Sequence, residues 1–379
     1  MSSKGLTKIQ AGLLIAVIVV AAALSYLAVK FYISPGKTPE TYVEDILGRK
    51  VVLPQKINRV VAIGPGMLRL VCYLNATDLL VGVEESETKW GFTGRDYAMA
   101  YGESFRNLPI IGPGGPGKPP APELILAVKP DLIIMSRTYA DMYDADRLQT
   151  EINSTVIVMD YGPAGSLDIE GLANALRILG TALNRKERAE SLIKFVEGLR
   201  DDLKARTENI TSRPKVYVGA VSYKGAQPFT TTQVSFPPLQ LLYTSSIADK
   251  YFNKTGVYFM DFEAILQEQP EIVFIDEGNL NTVKQDFDKD LGKYCQLVAF
   301  QNGKIYGTLP YNYYHTNIAV ALADAYYIGK VLYPDCFGGV NPELKADEIF
   351  QAFLGKSLYM QYEEAYGGFK NLSEMFKCG

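Results

Sequence analysis

The residues of this chain best suited to chemistry fall in one short segment. Tyr311-Asn312-Tyr313-Tyr314-His315-Thr316-Asn317 carries three phenols and the chain's single histidine. Phenolate oxygen is a hard donor suited to ferric iron, and imidazole is a general metal ligand. Tyr313, Tyr314 and His315 are therefore candidates to coordinate iron or heme. Successive residues of an extended segment point to opposite sides, so the three cannot all face one ion. A lone histidine argues against a zinc or manganese site built from several imidazoles. It also leaves a Ser-His-acid hydrolase without support, because no Gly-x-Ser-x-Gly elbow occurs. A second cluster, Trp90, Arg95, Tyr97 and Tyr101, joins aromatic faces to a cation. Such groups stack on catecholate or macrocycle rings and balance the charge of an anionic chelate.

A third pattern suggests different chemistry. Residues 60–66 read as a strand running into Gly64-Pro65-Gly66, and Glu84 follows 20 residues after Gly64. This resembles the dinucleotide fingerprint, in which glycines admit pyrophosphate to a helix N-terminus and an acid holds the ribose. Arg69 stands where the third glycine belongs, and a bulky side chain there spoils helix–strand packing. An NAD-linked oxidoreductase is the alternative this unit supports; the plainer reading is a strand-to-helix turn.

The elements that must position these residues show a repeat. Residues 123–135 and 263–275 share Glu123/Glu263, Ile125/Ile265, Leu126/Leu266 and Pro130/Pro270, and Asp131/Glu271 keeps its charge. Each copy reads as a short helix, a proline stop, an acid and a buried strand. Two copies imply two similar α/β lobes with a cleft between them. Ser166 or Asp168 starts a helical region, and residues from Asn184 to about Arg206 read as a long helix suited to bridge the lobes. The expected organisation is residues 1–29 as signal or anchor, 30–40 as linker and 41–165 as the first lobe. Bridging helices follow at 166–213, and 214–379 forms the second lobe with two C-terminal helices. Loops at the cleft add Lys118, from the Gly/Pro-rich stretch 112–122, and Tyr223, Lys224 and Gln227 to the candidate ligand contacts.

With 47% hydrophobic and 21% charged residues and a net charge of −4, the chain is an ordinary folded protein without a basic footprint for nucleic acid. Ala11 to Val29 is an uncharged run whose 19 residues reach about 28 Å as a helix, enough to cross a bilayer core. It reads as an uncleaved anchor or a cleaved signal, and places the body outside the cell. Five Asn-x-Ser/Thr sequons, at Asn75, Asn153, Asn209, Asn253 and Asn371, agree with that placement. An oxidising location permits one disulfide among Cys295, Cys336 and Cys378, with Cys72 buried in an apolar helix face.

In order, the features are an export segment, a lobe, a bridging helix, a second lobe and a repeated helix–Pro–acid–strand unit. With Asp45-x-x-Gly48-Arg49, Arg59-Val60-Val61-Ala62-Ile63 and Leu179-Gly180 before Arg188-Ala189, residues 42–335 resemble the substrate-binding proteins of ABC importers for ferric siderophores, heme and cobalamin. Tyr311–Asn317 and Ala325–Lys330 resemble an archaeal iron-transport branch. The resemblance implies two Rossmann-like lobes joined by a long α-helix, ligand in the cleft, and small closure on binding. It also implies a permease and a separate ATPase as partners, since this chain has no Walker motif. No cofactor belongs to the protein itself, and a ferric chelate is the expected cargo, with cobamide, heme, molybdate or tungstate as alternatives. Bacterial relatives dock through a glutamate on the first helix of each lobe; here the matching positions are Arg69 and, near it in role, Gln240.

Overall fold

The computed structural model describes residues 5, 7–33 and 41–378, which divide into two compact units, Met1–Tyr42 and Val43–Gly379. The first unit is one helix, α1 (Lys8–Ile33), whose part Lys8–Leu27 is long and apolar enough to cross a membrane. It runs past the expected end at Val29, and residues 34–40 of the expected linker lie outside the described residues.

The second unit opens its first lobe with β1 (Val60–Ile63), α2 (Met67–Tyr73), α3 (Asp96–Phe105), α4 (Pro122–Ala127), β2 (Leu132–Ser136) and β3 (Thr155–Met159). The strands form a parallel sheet in the order β1-β2-β3, with Val60 opposite Leu132 and Leu132 opposite Thr155. Val-Val-Ala-Ile, Leu-Ile-Ile-Met and Val-Ile-Val-Met are continuous apolar runs because helices cover both faces of a parallel sheet. Two helices follow, α5 (Ile169–Ala182), capped by Asp168 on the Gly171 N–H at 2.9 Å, and α6 (Lys186–Thr207). The second lobe contains β4 (Val216–Gly219), α7 (Pro237–Gln240), α8 (Phe262–Glu268), β5 (Ile272–Asp276), β6 (Ile305–Thr308) and α9 (Ile318–Leu332). Its parallel sheet has the order β6-β5-β4, with Val216 opposite Ile272 and Ile305 opposite Val273.

The repeated unit has one structural job in both lobes. After α4, Asp131 accepts hydrogen bonds from the N–H groups of Asn58 and Arg59 at 2.8 and 3.0 Å, at the entry to β1. After α8, Glu271 accepts from the Lys215 N–H at 3.1 Å, at the entry to β4. The proline ends the helix, and the acid pins the start of the neighbouring strand.

The lobes are joined twice. The 22-residue α6 is about 33 Å long and buries Ala189, Leu192, Ile193, Val196, Leu199 and Leu203. The second connection runs through the C-terminal helices. The helix α10 (Pro342–Leu354) packs chiefly on α9 of the second lobe and also reaches α2 and α3 of the first, and α11 (Tyr359–Tyr366) packs on α10. Phe353 meets Tyr73 of α2 edge to face at 4.7 Å, and the Tyr101 hydroxyl of α3 donates to Leu354 O at 2.7 Å. Arg188 of α6 ties this crossing down through Tyr73 O, Ala352 O and Phe353 O at 2.9, 2.6 and 2.9 Å. The chain then returns to the second lobe. Leu372 N–H donates to Ile305 O at 2.8 Å, and Cys378 forms a disulfide with Cys295. Cys72 is a buried thiol as expected, and Cys336 is free and exposed.

The bridge closes 83 residues, and removing a native disulfide typically costs about 2–5 kcal/mol. Cys378→Ser should lower stability by about 2–4 kcal/mol and coincide with reduced wild type in urea unfolding. Identical midpoints for oxidised wild type and variant would show that Leu372 and Phe376 hold the tail unaided.

Candidate functional site

In open α/β sheets, ligands bind outside the carboxyl ends of the strands. In the first lobe those ends carry Gly64–Gly66, Ser136–Tyr139 and Asp160–Gly162. The second lobe sends into this region the connection from β6 to α9, which contains residues 311–317.

Arg69 of α2 is the centre of the junction. It is fully buried, and each of its five N–H donors has an acceptor within reach. Nε pairs with Asp96 at 2.9 Å. Nη1 lies 2.8 Å from the Tyr161 hydroxyl and 3.4 Å from Tyr314 O, and Nη2 lies 3.2 Å from Tyr313 O and 2.6 Å from Asn317 Oδ1. Burial alone would weaken its hold on the proton, but the surrounding Tyr161 and Asp96 outweigh it and the guanidinium stays charged. Arg69, expected from its sequence position at a docking surface, is buried. Its charge is enclosed between the lobes.

The glycine pair is equally committed. Gly64 and Gly66 have φ of 85° and 82°. A Cβ on Gly64 would lie 2.1 Å from Ser136 Oγ, and one on Gly66 would lie 2.6 Å from the Tyr161 hydroxyl. The notch that a pyrophosphate needs is filled by these side chains. Glu84 does not face a ribose site: it is buried and accepts from Gly64 N–H at 2.8 Å and from the Tyr314 hydroxyl at 3.1 Å. Burial pushes its carboxyl up to about 7.

The three candidate metal ligands diverge. The Tyr313 ring stacks with Trp90 at 6.4 Å and lies under the Arg95 guanidinium at 5.8 Å. The Tyr314 hydroxyl is held by Glu84 and by the Gly115 N–H at 3.0 Å. His315 packs on the Tyr161 ring at 4.2 Å, with Nε2 3.7 Å from Asp160. They do not converge on one ion, and among the described residues no group of three His, Cys, Asp or Glu could hold a metal. The backbone explains the divergence. Tyr314 and His315 have φ of 51° and 85°, left-handed values for non-glycine residues that cost about 1–3 kcal/mol each unless the surroundings enforce them. Arg69 enforces them through the two carbonyls. The Thr316 N–H donates to His315 Nδ1 at 3.0 Å, so the ring proton is on Nε2. Burial, reinforced by Arg69, lowers the His315 pKa to about 3.

The other candidates separate into groups. Trp90 is 40% exposed beside Tyr313 and Tyr314. Arg95 is buried and ion-paired with Glu87, whose carboxylate also accepts from the Tyr97 hydroxyl at 2.7 Å. Tyr101 instead lines a 790 Å³ cavity between α3 and α11, with Phe92 and Lys356. Lys118 is exposed on the loop that carries Gly115. Tyr223 and Lys224 are exposed, with Lys224 Nζ 5.3 Å from the Tyr223 ring, whereas Gln227 is buried and bonds to Lys224 O at 2.6 Å. Tyr311 is buried, its hydroxyl 2.9 Å from Gly165 O and 2.5 Å from Gln233 Oε1. Gln240 is exposed beside a 470 Å³ cavity lined by Arg200 and Tyr243. All five sequon asparagines are exposed. Asp96, Tyr161 and Gly115 were missed in the sequence because their roles come from contacts across long separations.

Comparison with known proteins matches this architecture. The family model described as periplasmic binding protein covers residues 60–311, and the chain belongs to that family. The molybdate-binding protein MolA of Haemophilus influenzae is 23% identical over 337 residues, which are 83% of this chain and 91% of that protein. An ABC transporter solute binding protein from Sulfurospirillum deleyianum superposes with a TM-score of 0.62 at 23% identity, covering 86% of this chain and 98% of that one. The periplasmic catecholate-siderophore binding protein VctP of Vibrio cholerae gives 0.54 at 21% identity, covering 76% and 99%. These are solute-binding proteins of transport systems, not enzymes.

Arg69→Met leaves Asp96 buried and unpaired, so it should cost about 3–5 kcal/mol in urea unfolding, while Gln240→Ala leaves the midpoint unchanged. The sole imidazole should stay neutral, with a constant C2-proton shift, from pH 8 to pH 4.5. The His315 value lies below its ordinary 6.5, so between 6.5 and about 3 the unfolded chain takes up a proton that the folded chain refuses. This contribution to stability is full above pH 6.5 and is lost as pH falls through that window. A titration of the NMR signal near pH 6.5 in the folded protein would overturn the assignment.

Proposed function

We propose that this chain is the extracellular receptor of an ABC importer. It would be held to the cell membrane by α1, or released after cleavage, and would carry a metal chelate, foremost a ferric siderophore, from the lobe junction to a permease driven by a separate ATPase. The observation that carries this reading is Trp90, 40% exposed at the strand ends, with Tyr313 stacked beside it and Tyr314 against its edge. Aromatic faces of this kind bind planar chelating groups, and exposed Lys118 and Lys224 on nearby loops supply positive charge for a net-anionic complex. The exposed sequons are proposed glycosylation sites of an external body.

A second reading, a tetrahedral oxyanion such as molybdate or tungstate, is favoured by likeness to MolA along 83% of the chain. It is the weaker of the two. A bare oxyanion needs unmatched cations or N–H donors, and Arg69 and Arg95 are already paired with Asp96 and Glu87.

The test is a thermal-shift panel on the full chain in detergent: ferric siderophores, ferric citrate, cobalamin, heme, molybdate, tungstate and NAD. Trp90, the only tryptophan, reports binding by fluorescence. A ferric siderophore should stabilise saturably and quench Trp90, with about 2.7 kcal/mol gained at one hundred times Kd. Trp90→Ala should weaken binding about tenfold, or about 1.4 kcal/mol. A response to molybdate and tungstate alone would select the oxyanion reading, and one to NAD alone would sink both.

A further inference from the structure

Tyr314 belongs to the second lobe's connection, yet its side chain is seated among groups of the first. Its hydroxyl accepts the Gly115 N–H at 3.0 Å and donates to Glu84 Oε2 at 3.1 Å, and its ring meets Trp90 at 5.0 Å. The seat does not depend on its occupant. Glu84 is also fixed by the Gly64 N–H, and the loop carrying Gly115 is fixed by hydrogen bonds from Glu85 N–H to Gly112 O at 2.8 Å and from Ser86 N–H to Pro113 O at 3.1 Å. One group in the seat is left over. The Tyr139 hydroxyl is fully buried beside Glu84 and Tyr314 without a well-formed hydrogen bond. A single phenol satisfies Glu84 and Gly115, whereas a ring with two adjacent hydroxyls could also pair with Tyr139. The occupant is also held in an unfavourable backbone shape, left-handed at Tyr314 and His315 without glycine at either position.

The geometry points to a catechol-binding subsite in the first lobe, formed by Glu84, the Gly115 N–H and Tyr139, which Tyr314 fills in cis and vacates for a ring of the ligand. The inference rests on the reading of the junction as the ligand site and names the chemistry it selects: an aromatic ring with vicinal hydroxyls, at least one of which keeps its proton to donate to Glu84. A ring whose oxygens are all bound to metal would bring negative charge against a carboxylate. The subsite therefore takes an uncoordinated catechol or phenol of a chelator, and the segment 313–315 is its resident stand-in.

The full chain in detergent tests this without knowledge of the cargo. Tyr314→Ala empties the seat. Catechol and p-cresol should then raise the melting temperature of this variant saturably, with catechol binding at least fivefold more tightly, and toluene should have no effect. Tyr139→Phe in the same background should abolish the preference for catechol. Rescue by toluene equal to that by p-cresol would overturn the proposal, because the seat would be only an apolar cavity; so would a folded Tyr314→Ala that no phenol stabilises. If Tyr314→Ala fails to fold, hydrogen exchange decides. In wild type, the amides of 313–317 should open at least tenfold faster than those of β1 and α9, and faster again in Tyr314→Phe. Exchange of the segment at the same rate as the core would show that it never vacates, and would sink the idea. Because none of these readouts uses a chelate, failure here is separate from failure of the transport panel.

Discussion

A fully buried guanidinium is expensive unless every donor is met, and the junction of this protein is arranged around meeting those of Arg69. Three parts of the first lobe and one of the second converge on it. Asp96, at the first turn of α3 and itself held by the Tyr73 hydroxyl, supplies the counter-charge, Tyr161 accepts from Nη1, and the Tyr97 ring lies under the guanidinium at 4.8 Å. The carbonyls of Tyr313 and Tyr314 and the amide of Asn317 come from the other lobe. Asn317 also donates to Gly94 O at 3.0 Å, so the residue before α9 is fixed to the residues before α3. The left-handed turn at 314–315 follows from this, since both carbonyls must face the same cation.

That constraint bears on motion. Two crossings, α6 and α10–α11, already limit rotation of the lobes, and Arg188 ties them to each other and to α2. A wide hinge would separate Arg69 from the carbonyls of 313 and 314 and leave a buried charge undersatisfied. Adjustment within the connecting segment is cheaper than movement of whole lobes. Its side chains are seated in the first lobe without being part of its sheet, so they can shift without moving a strand.

Legibility in the sequence followed locality. The repeat was readable because a proline stop, an acid and an apolar strand act within a dozen residues, and Asp131 and Glu271 do play matching parts. The helical stripe of α6 was readable for the same reason. The crossing by α10 was not, because its buried face, with Ile349, Phe350 and Phe353, says that the helix packs but not that it meets both lobes. At the site, the residue types of 311–317 drew attention correctly, but their directions depend on two non-glycine residues at positive φ, which no propensity rule anticipates. Arg69 stood out in the sequence as a bulky base in place of a third glycine; only the partner groups at 313–317 show what it does there.

The charge arrangement also indicates where ligand recognition must come from. Arg69 with Asp96 and Arg95 with Glu87 are neutral pairs in the buried layer, and burial raises the Glu84 carboxyl to about 7, so it carries only part of a charge at neutral pH. The deep part of the junction thus offers hydrogen bonds and aromatic faces but little net field. The unmatched positive charge lies outside, on exposed loops with Lys118 and Lys224. Exposed charges of this kind act at long range and mainly raise association rates, while desolvated contacts set residence time. A receptor built this way draws an anionic complex to its rim and discriminates by ring shape and hydroxyl pattern inside. This division of labour suits a large chelate better than a small ion, because only a large ligand can leave its charge at the rim while inserting an aromatic group between the lobes.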